Sequence, residues 1–252
     1  MLPRYMKPVP PSEYHAEAAL HHTLASLFTL GLVGHGALMD AGANDGLDAV
    51  YLATLQPERR VIAVEPIAKN AKAIGVFAAH FKNLKVVHGG LSSTAGIGAY
   101  PASWDSRPAG EMLQVNDRTN EEALTGRRAR KGDVSHYSIE TVDQLMLRLN
   151  LSLALAHWDV EGAELDVLQG ARATLKRDAP LFTVESYPES KPRNHRKLLH
   201  FIARMGYEAH EIREICGIPL DCRNFLCVPE RLRARFAKSR NIIIDGYRAV
   251  YP

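Results

Sequence analysis

The sequence predicts an α/β fold, with one mostly parallel sheet and helices packed on both of its faces. Two observations carry that expectation. Short apolar runs at 37–39, 61–64, 84–88, 153–158 and 181–184 alternate with stretches of helical periodicity, the pattern left by strands joined through right-handed helical crossovers. Four of the runs stop at an acid, namely Asp40, Glu65, Asp159 and Glu185, and in a parallel sheet all four fall on the edge where ligands bind. The 252 residues, 46% hydrophobic, can bury one sizeable core, so a single domain with additions is expected. Its parts are an N-terminal helical extension over 1–36, a main domain over 37–229 with an inserted loop or lid at 92–136, and a basic tail over 230–252.

Residues 1–11 are proline-rich and read as extended until Ser12 offers a cap to a helix over 13–30. Leu20, Leu24, Leu27 and Phe28 recur at helical spacing and make the face that packs on the sheet. His15, His21 and His22 share this helix, but with no carboxylate at ligand spacing they read as surface histidines and not as a metal set. Ala37, Leu38 and Met39 end a buried strand, Gly42 and Gly46 turn the chain, and a helix follows to residue 55. The second strand ends at Glu65 and Pro66, a helix runs over 67–80, and the third strand ends in Gly89, Gly90 and Leu91. Over 92–136 the alternation fails and the chain is rich in Gly, Ser, Pro, Arg and Asp. A loop this long at the ligand edge is a candidate lid, with Trp104, Arg107 and Arg118 as substrate contacts and 127–131 as a solvated basic run. Order returns with a strand at Ser138 running into a helix that ends near Asn150, a fourth strand over 153–158, a helix over 165–175 and a fifth strand ending at Glu185. A basic amphipathic helix over 191–205, a closing antiparallel pair at 207–215 and 224–228, a basic helix or tail over 231–240 and a short apolar strand at 242–244 complete the chain. The tail suits oligomer contact, membrane-surface association or simple packing alike.

A net charge of +3 is too weak a bias to argue nucleic-acid binding. Three cysteines, Cys216, Cys222 and Cys227, form an odd, sparse set that suits reduced thiols in a cytoplasmic protein, and without a C-x-x-C pair they make a poor zinc site with His210. The longest uncharged run, 24–39, is interrupted by glycines and lies behind Glu13 and Glu17, the wrong place for a signal peptide. No transmembrane segment is expected.

The stretch around Gly42 and Gly46 is where a nucleotide-sized ligand fits, because a glycine turn gives close backbone approach and the following helix offers free N–H groups. Its charge is wrong for phosphate. Asp40, Asp45 and Asp48 would repel a pyrophosphate, whereas a cation is welcome. S-adenosylmethionine carries a sulfonium and an ammonium and no phosphate, and the pattern Asp40-x-Gly42-x-Asn44-x-Gly46 resembles the first motif of class I methyltransferases. The contacts assigned to it are Asp40, Gly42, Ala43, Asn44, Gly46, Glu65, Pro66 and Leu91. Glu65, at a strand end, is placed to accept from both ribose hydroxyls, and the backbone at Gly89 to Leu91 can approach an adenine ring. The plain alternative is a β-turn that joins strand to helix.

Further on, Asp159, Glu161 and Glu164 place three carboxylates within six positions at a strand-to-helix corner. Such a grouping binds a cation, shares a proton or caps the helix, and capping accounts for Glu164 alone. With the runs Trp158-Asp159-Val160-Glu161-Gly162-Ala163-Glu164-Leu165-Asp166, Val64-Glu65-Pro66, the segment from Ser138 to Leu145, and Asn224-Phe225-Leu226-Cys227-Val228-Pro229, the chain resembles the FkbM family of S-adenosylmethionine-dependent methyltransferases. The resemblance spans 37–229 and implies the class I Rossmann-like fold, a mostly parallel seven-stranded sheet with one antiparallel strand. It also implies methyl transfer to a hydroxyl of a sugar, glycan or polyketide-like acceptor. Val142 stands where the family usually has leucine and His157 where it often has lysine.

A hydroxyl is a poor nucleophile until its proton begins to leave, so such a reaction calls for a general base or a metal. Asp159 and Glu161 are the candidate bases, Glu185 and His136 the lesser ones, and Asp159, Glu161 and Glu185 could instead hold a divalent cation such as Mg²⁺ through oxygens. Catalysis by proximity alone, with the acids merely fixing the corner, is the third reading. Two rival functions share the fold. A nicotinamide oxidoreductase is disfavoured by the acidic turn and by Gly42-x-x-x-Gly46 in place of G-x-G-x-x-G, and a non-catalytic binding protein by the retention of Asp40, Glu65, Asp159 and Glu161.

Overall fold

The computed structural model of the chain describes residues 16–106, 134–212 and 223–245. A seven-stranded sheet runs through its centre in the order β3-β2-β1-β7-β8-β10-β9, formed by β1 (Ala37–Ala41), β2 (Val61–Glu65), β3 (Leu84–His88), β7 (Leu153–Trp158), β8 (Leu181–Ser186), β9 (Tyr207–Glu211) and β10 (Arg223–Pro229). All neighbours are parallel until β10, which pairs antiparallel with both β8 and β9. This is the class I Rossmann-like arrangement. Helical crossovers force the first five strands to run the same way, whereas β9 and β10 form a hairpin and need no crossover.

Strand residues alternate between two cores. Leu38, Ala63 and Leu155 face α1 (Ala16–Thr29), α2 (Leu47–Leu55) and α3 (Ala68–Ala78). Met39, Ile62, Trp158 and Phe182 face α4 (Val142–Leu149), α5 (Glu164–Gln169), α6 (Arg172–Asp178) and α7 (Pro192–Arg204). Leu20, Leu24 and Leu27 of α1 are fully buried, as their spacing predicts. On the other face Trp158, Phe182 and Tyr207 pack in series as tilted ring pairs with centroids 4.8 and 4.9 Å apart, and each fully buried ring or aliphatic chain contributes roughly 1.5–3 kcal/mol.

Three stretches depart from the sequence reading. The stretch expected to be irregular contains β5 (Gly96–Pro101) and opens into β6 (Val134–Glu140), which with β4 (Gly90–Leu91) form a second sheet in the order β4-β6-β5. Glycine and proline hide the strand period here, and the partner strand is far along the chain. Gly90 and Gly98 are required because a Cβ on either would lie 2.6 or 2.3 Å from the ring of Tyr137. The expected helix over 165–175 is two helices broken at Gly170, where a Cβ would sit 2.1 Å from the Ser92 carbonyl oxygen, and Asp143 caps the second by accepting from Ala173 and Thr174 N–H at 2.9 and 2.7 Å. The apolar run at 242–244 is a π-helical turn (Asn241–Asp245), not a strand. Its Ile243 and Ile244 are buried, and the Ile243 carbonyl accepts from Thr23 of α1 at 3.3 Å. Before it lie a 3-10 turn (Glu230–Leu232) and the short helix α8 (Arg233–Ala237). No helix among the described residues is long and apolar enough to cross a membrane.

Gly75 within α3 and Gly170 at the break after α5 differ in what surrounds them. A Cβ at Gly75 of α3 meets nothing within 4 Å, so Gly75→Ala should be neutral or stabilising by about 0.5–1 kcal/mol, while Gly170→Ala forces backbone apart and should cost about 1–3 kcal/mol. Urea denaturation of both variants checks this, and equal effects would contradict it.

Candidate active site

The carboxyl ends of β1, β2, β7 and β8 deliver the candidate residues to one edge. After Ala41 the chain turns so tightly that Gly42 lies against the next strand end: a Cβ there would stand 1.7 Å from the Asp159 carbonyl oxygen, and φ is +82°. The Asp159 N–H donates to the Ala41 carbonyl at 3.1 Å, and the N–H groups of Gly42 and Ala43 to the Val64 carbonyl at 2.9 and 3.1 Å. Asn44 and Gly46 also hold positive φ, +46° and +85°. The turn is therefore fastened to both β2 and β7.

Glu65, 3% exposed, closes the turn from the side. Its Oε2 accepts from Asn44 N–H at 2.8 Å and its Oε1 from Ile67 N–H at 2.9 Å, while Asn70 reaches the Asn44 side-chain oxygen at 3.2 Å. Burial pushes this carboxyl up to about 7 against the pull of those donors. Each of its oxygens keeps a second lone pair. Pro66 accepts from a ring nitrogen of His88 at 3.1 Å, and Leu91 is buried. Tyr137, raised by burial and by the charge of Glu65, stands beside this acid. Sequence reading missed it, since nothing in a tyrosine of an irregular stretch marks it. Its neighbour His136 is exposed and, one step along the strand, faces the opposite side of the small sheet. Trp104, in the 3-10 turn Ala102–Ser106, stacks on Tyr100 at 6.2 Å.

At the β7 corner Glu161 takes φ +54° and Gly162 +103°. Glu164, 5% exposed, accepts from Gly162 N–H at 2.8 Å and Val160 N–H at 3.3 Å, so it braces the corner, as its capping position suggests. Burial raises it to about 6. Burial, then the charges of Asp159 and Glu164, raise Glu161 to about 7, and Lys191 opposes them. Tyr187, pushed well up by burial and by Glu185, donates to Glu185 Oε2 at 2.6 Å. Oxygens of Asp159, Glu164 and Glu185 all lie within 4.8 Å of one another. The trio that meets in this way contains Glu164 where sequence reading put Glu161 in the cation set. Tyr187 and Lys191 are the additions that spacing alone did not flag.

Asp40 does not face the open edge. It is 1% exposed, and burial, then the charges of Asp48 and Asp159, push its carboxyl well above the usual range. His21 is not a surface histidine: its Nε2 lies 2.6 Å from Asp48 Oδ1. The missing carboxylate comes from a helix 27 residues on, which helical spacing cannot reveal. Cys227 is buried and free, and Ser12, His15, Arg107, Arg118, the basic run 127–131, Cys216 and Cys222 lie outside the described residues.

Known proteins bear on this geometry. The family model of the methyltransferase FkbM domain matches residues 40–209. A solved FkbM methyltransferase from Methylobacillus flagellatus KT is 16% identical and superposes with a TM-score of 0.52, covering 80% of this chain and 47% of its own. The chain thus spans about half the length of that relative. Fibrillarin from Aeropyrum pernix with natively bound S-adenosyl-L-methionine is 13% identical, with a TM-score of 0.48 over 84% of this chain and 76% of the other. No protein of curated function matches the chain.

The raised acids carry a pH signature. Glu65, Glu161 and Glu164 are held up by burial, so the fold favours their protonated forms, and the stability they contribute is present below about 4.5 and lost as pH rises through 6 to 7. Asp48 runs the other way: burial raises it, but the His21 hydrogen bond and the His157 charge outweigh burial, so its contribution fades only at acid pH. The melting temperature of the protein without ligand should fall between pH 5 and 8, and less so in Glu161→Gln. A midpoint that rises over that range in both proteins would contradict the assignment.

Proposed function

The chain belongs to the FkbM methyltransferase family, and on that premise we propose that it transfers a methyl group from S-adenosylmethionine to a hydroxyl of a sugar, glycan or polyketide-like small molecule. The observation that carries the reading is the half-buried Glu161, raised to about 7, on the same sheet edge as the Gly42 turn and Glu65.

The residues present fit the cofactor. The turn at Gly42, Ala43, Asn44 and Gly46 is fixed at the carboxyl end of the sheet by its own hydrogen bonds, Glu65 keeps acceptor capacity for two ribose hydroxyls, and Pro66 with Leu91 supplies apolar surface for a purine. When bound, S-adenosylmethionine supplies an electrophilic methyl group. The protein's own part is to hold the acceptor hydroxyl and take its proton as the oxygen–carbon bond forms. A carboxylate near pKa 7 is a far better base than one at 4.5 and is still half ionised at neutral pH. Asp159 positions the acceptor, and its charge helps to hold Glu161 up near 7, while Tyr187 fixes Glu185 by donating to its Oε2.

A second reading rests on the oxygens of Asp159, Glu164 and Glu185, which are close enough to share a divalent cation such as Mg²⁺. In that case chelation abolishes turnover and Mg²⁺ restores it; the metal-free reading predicts no change.

Glu65→Ala should weaken S-adenosylmethionine binding by about 1.5–3 kcal/mol in calorimetry, the range for charged hydrogen bonds. Unchanged affinity would remove Glu65 from the site, and tight NAD binding in its place would overturn the methyltransferase reading.

With labelled methyl donor and a panel of deoxysugars, hexoses and polyketide alcohols, Asp159→Asn and Glu161→Gln should keep cofactor affinity and lose about a hundredfold to ten-thousandfold in rate. The rate of the unaltered enzyme should rise with pH through about 7, and this rise should vanish in Glu161→Gln. Turnover of both variants at the unaltered rate would make the acids structural. Cofactor binding with no turnover on any acceptor would favour a non-catalytic role.

A further inference from the structure

Beneath the Gly42 turn, on the face of the sheet that carries α1 and α2, polar side chains from four elements meet inside an otherwise apolar layer. They are Asp40 at the end of β1, Asp48 in the first turn of α2, His157 in β7 and His21 in α1. A carboxylate oxygen of Asp40, one of Asp48 and a ring nitrogen of His157 all lie within 4.8 Å of one another, with His157 Nε2 and Asp48 Oδ2 4.0 Å apart. Asp40 and His157 are 1% and 3% exposed. Asp40 Oδ2 is buried and has no hydrogen-bond partner, although the Ala49 N–H is a backbone donor to this carboxyl.

The surroundings are those of a ligand set. The other ring nitrogen of His157, Nδ1, is 2.8 Å from the buried Thr183 hydroxyl, so Nε2 is the nitrogen turned toward the two acids. His21 holds Asp48 Oδ1 at 2.6 Å, and its ring is stacked on Tyr51 with centroids 3.9 Å apart, leaving Asp48 Oδ2 for the centre. Two of the three inner groups thus carry an outer partner, the pattern by which proteins orient donors around a metal. Two acids and an imidazole in so small a space are met by a proton or by a cation. Donors on a zinc-type ion with bonds of roughly 2.0–2.1 Å stand about 3.3–3.5 Å apart, so modest side-chain movement brings them to bonding distance.

We propose that Asp40, Asp48 and His157 form a structural site for a divalent transition-metal ion of the zinc type beneath the glycine turn, with His21 and Thr183 orienting two of the three ligands. The imidazole and the count of three donors favour zinc over Mg²⁺ or Ca²⁺, which take more oxygens. Asp40 lies two residues before Gly42 and Asp48 two after Gly46, so the ion would tie both ends of the turn to β7. This gives Asp40 a supporting part in place of direct cofactor contact.

The test titrates ZnCl₂ into the full chain, purified with chelator and then freed of it, with no methyl donor present, so the outcome is independent of the reaction above. One ion per chain should bind and raise the melting temperature, and Co²⁺ in its place should give visible d–d absorption. Asp48→Asn and His157→Ala should lose the ion, and Thr183→Val should weaken it about tenfold to a hundredfold. Glu185→Gln should bind as the unaltered chain does. Should His157→Ala fail to fold by circular dichroism, Asp48→Asn and Thr183→Val decide. No zinc binding by the unaltered chain, unchanged binding in Asp48→Asn, or loss in Glu185→Gln, which would place the ion at the acidic corner, each overturns the site.

Discussion

The contact between Gly42 and the backbone of Asp159 joins the two corners from which the site is built. A Cβ at position 42 would collide with the Asp159 carbonyl, so only glycine allows the β1 turn to lie on the β7 corner, and the Asp159 N–H to Ala41 carbonyl bond then fixes their spacing. The glycine turn proposed to bind the cofactor forms the first corner, and Glu161, proposed to take the proton, stands on the second. Their distance is set by backbone, which side-chain motion cannot alter.

That closeness brings carboxylates together in a poorly solvated place. Asp40, Glu65, Glu161 and Glu164 are all held above their ordinary values, with burial as the leading cause each time. The protein spends stability to keep these acids where they are, and the two corners resolve the strain differently. Glu65 and Glu164 receive backbone N–H groups and become braces, whereas Glu161 keeps its raised value with few donors and stays available for chemistry. Charge geometry thus divides one cluster of like residues into separate roles.

Strand and helix order was legible because it rests on local periodicity: buried strands at 61–65 and 153–158 read as apolar runs, and Thr141 with Gln144 forms the capping box that opens the helix after β6. Where the reading departed, the deciding partner was distant. The helix breaks at Gly170, where the Gly170 carbonyl accepts from the Asp143 N–H and Asp143 caps the second half, the strand at 96–101 pairs with 134–140, and residues 242–244 pack against α1.

The sequence by itself determined the architecture, the glycine turn with its acids, Glu65 at a strand end and the Asp159 to Glu164 corner, since each is written within a few neighbouring positions whose spacing dictates local conformation. Only the tertiary structure decided which way each acid faces and what it meets. It put Glu164 beside Asp159 and Glu185, Tyr187 on Glu185, Tyr137 beside Glu65, and His21 with Asp48 beneath the turn. Desolvation and Coulomb energy depend on distances through space, and those distances arise from the packing of a twisted sheet against helices that lie far apart along the chain.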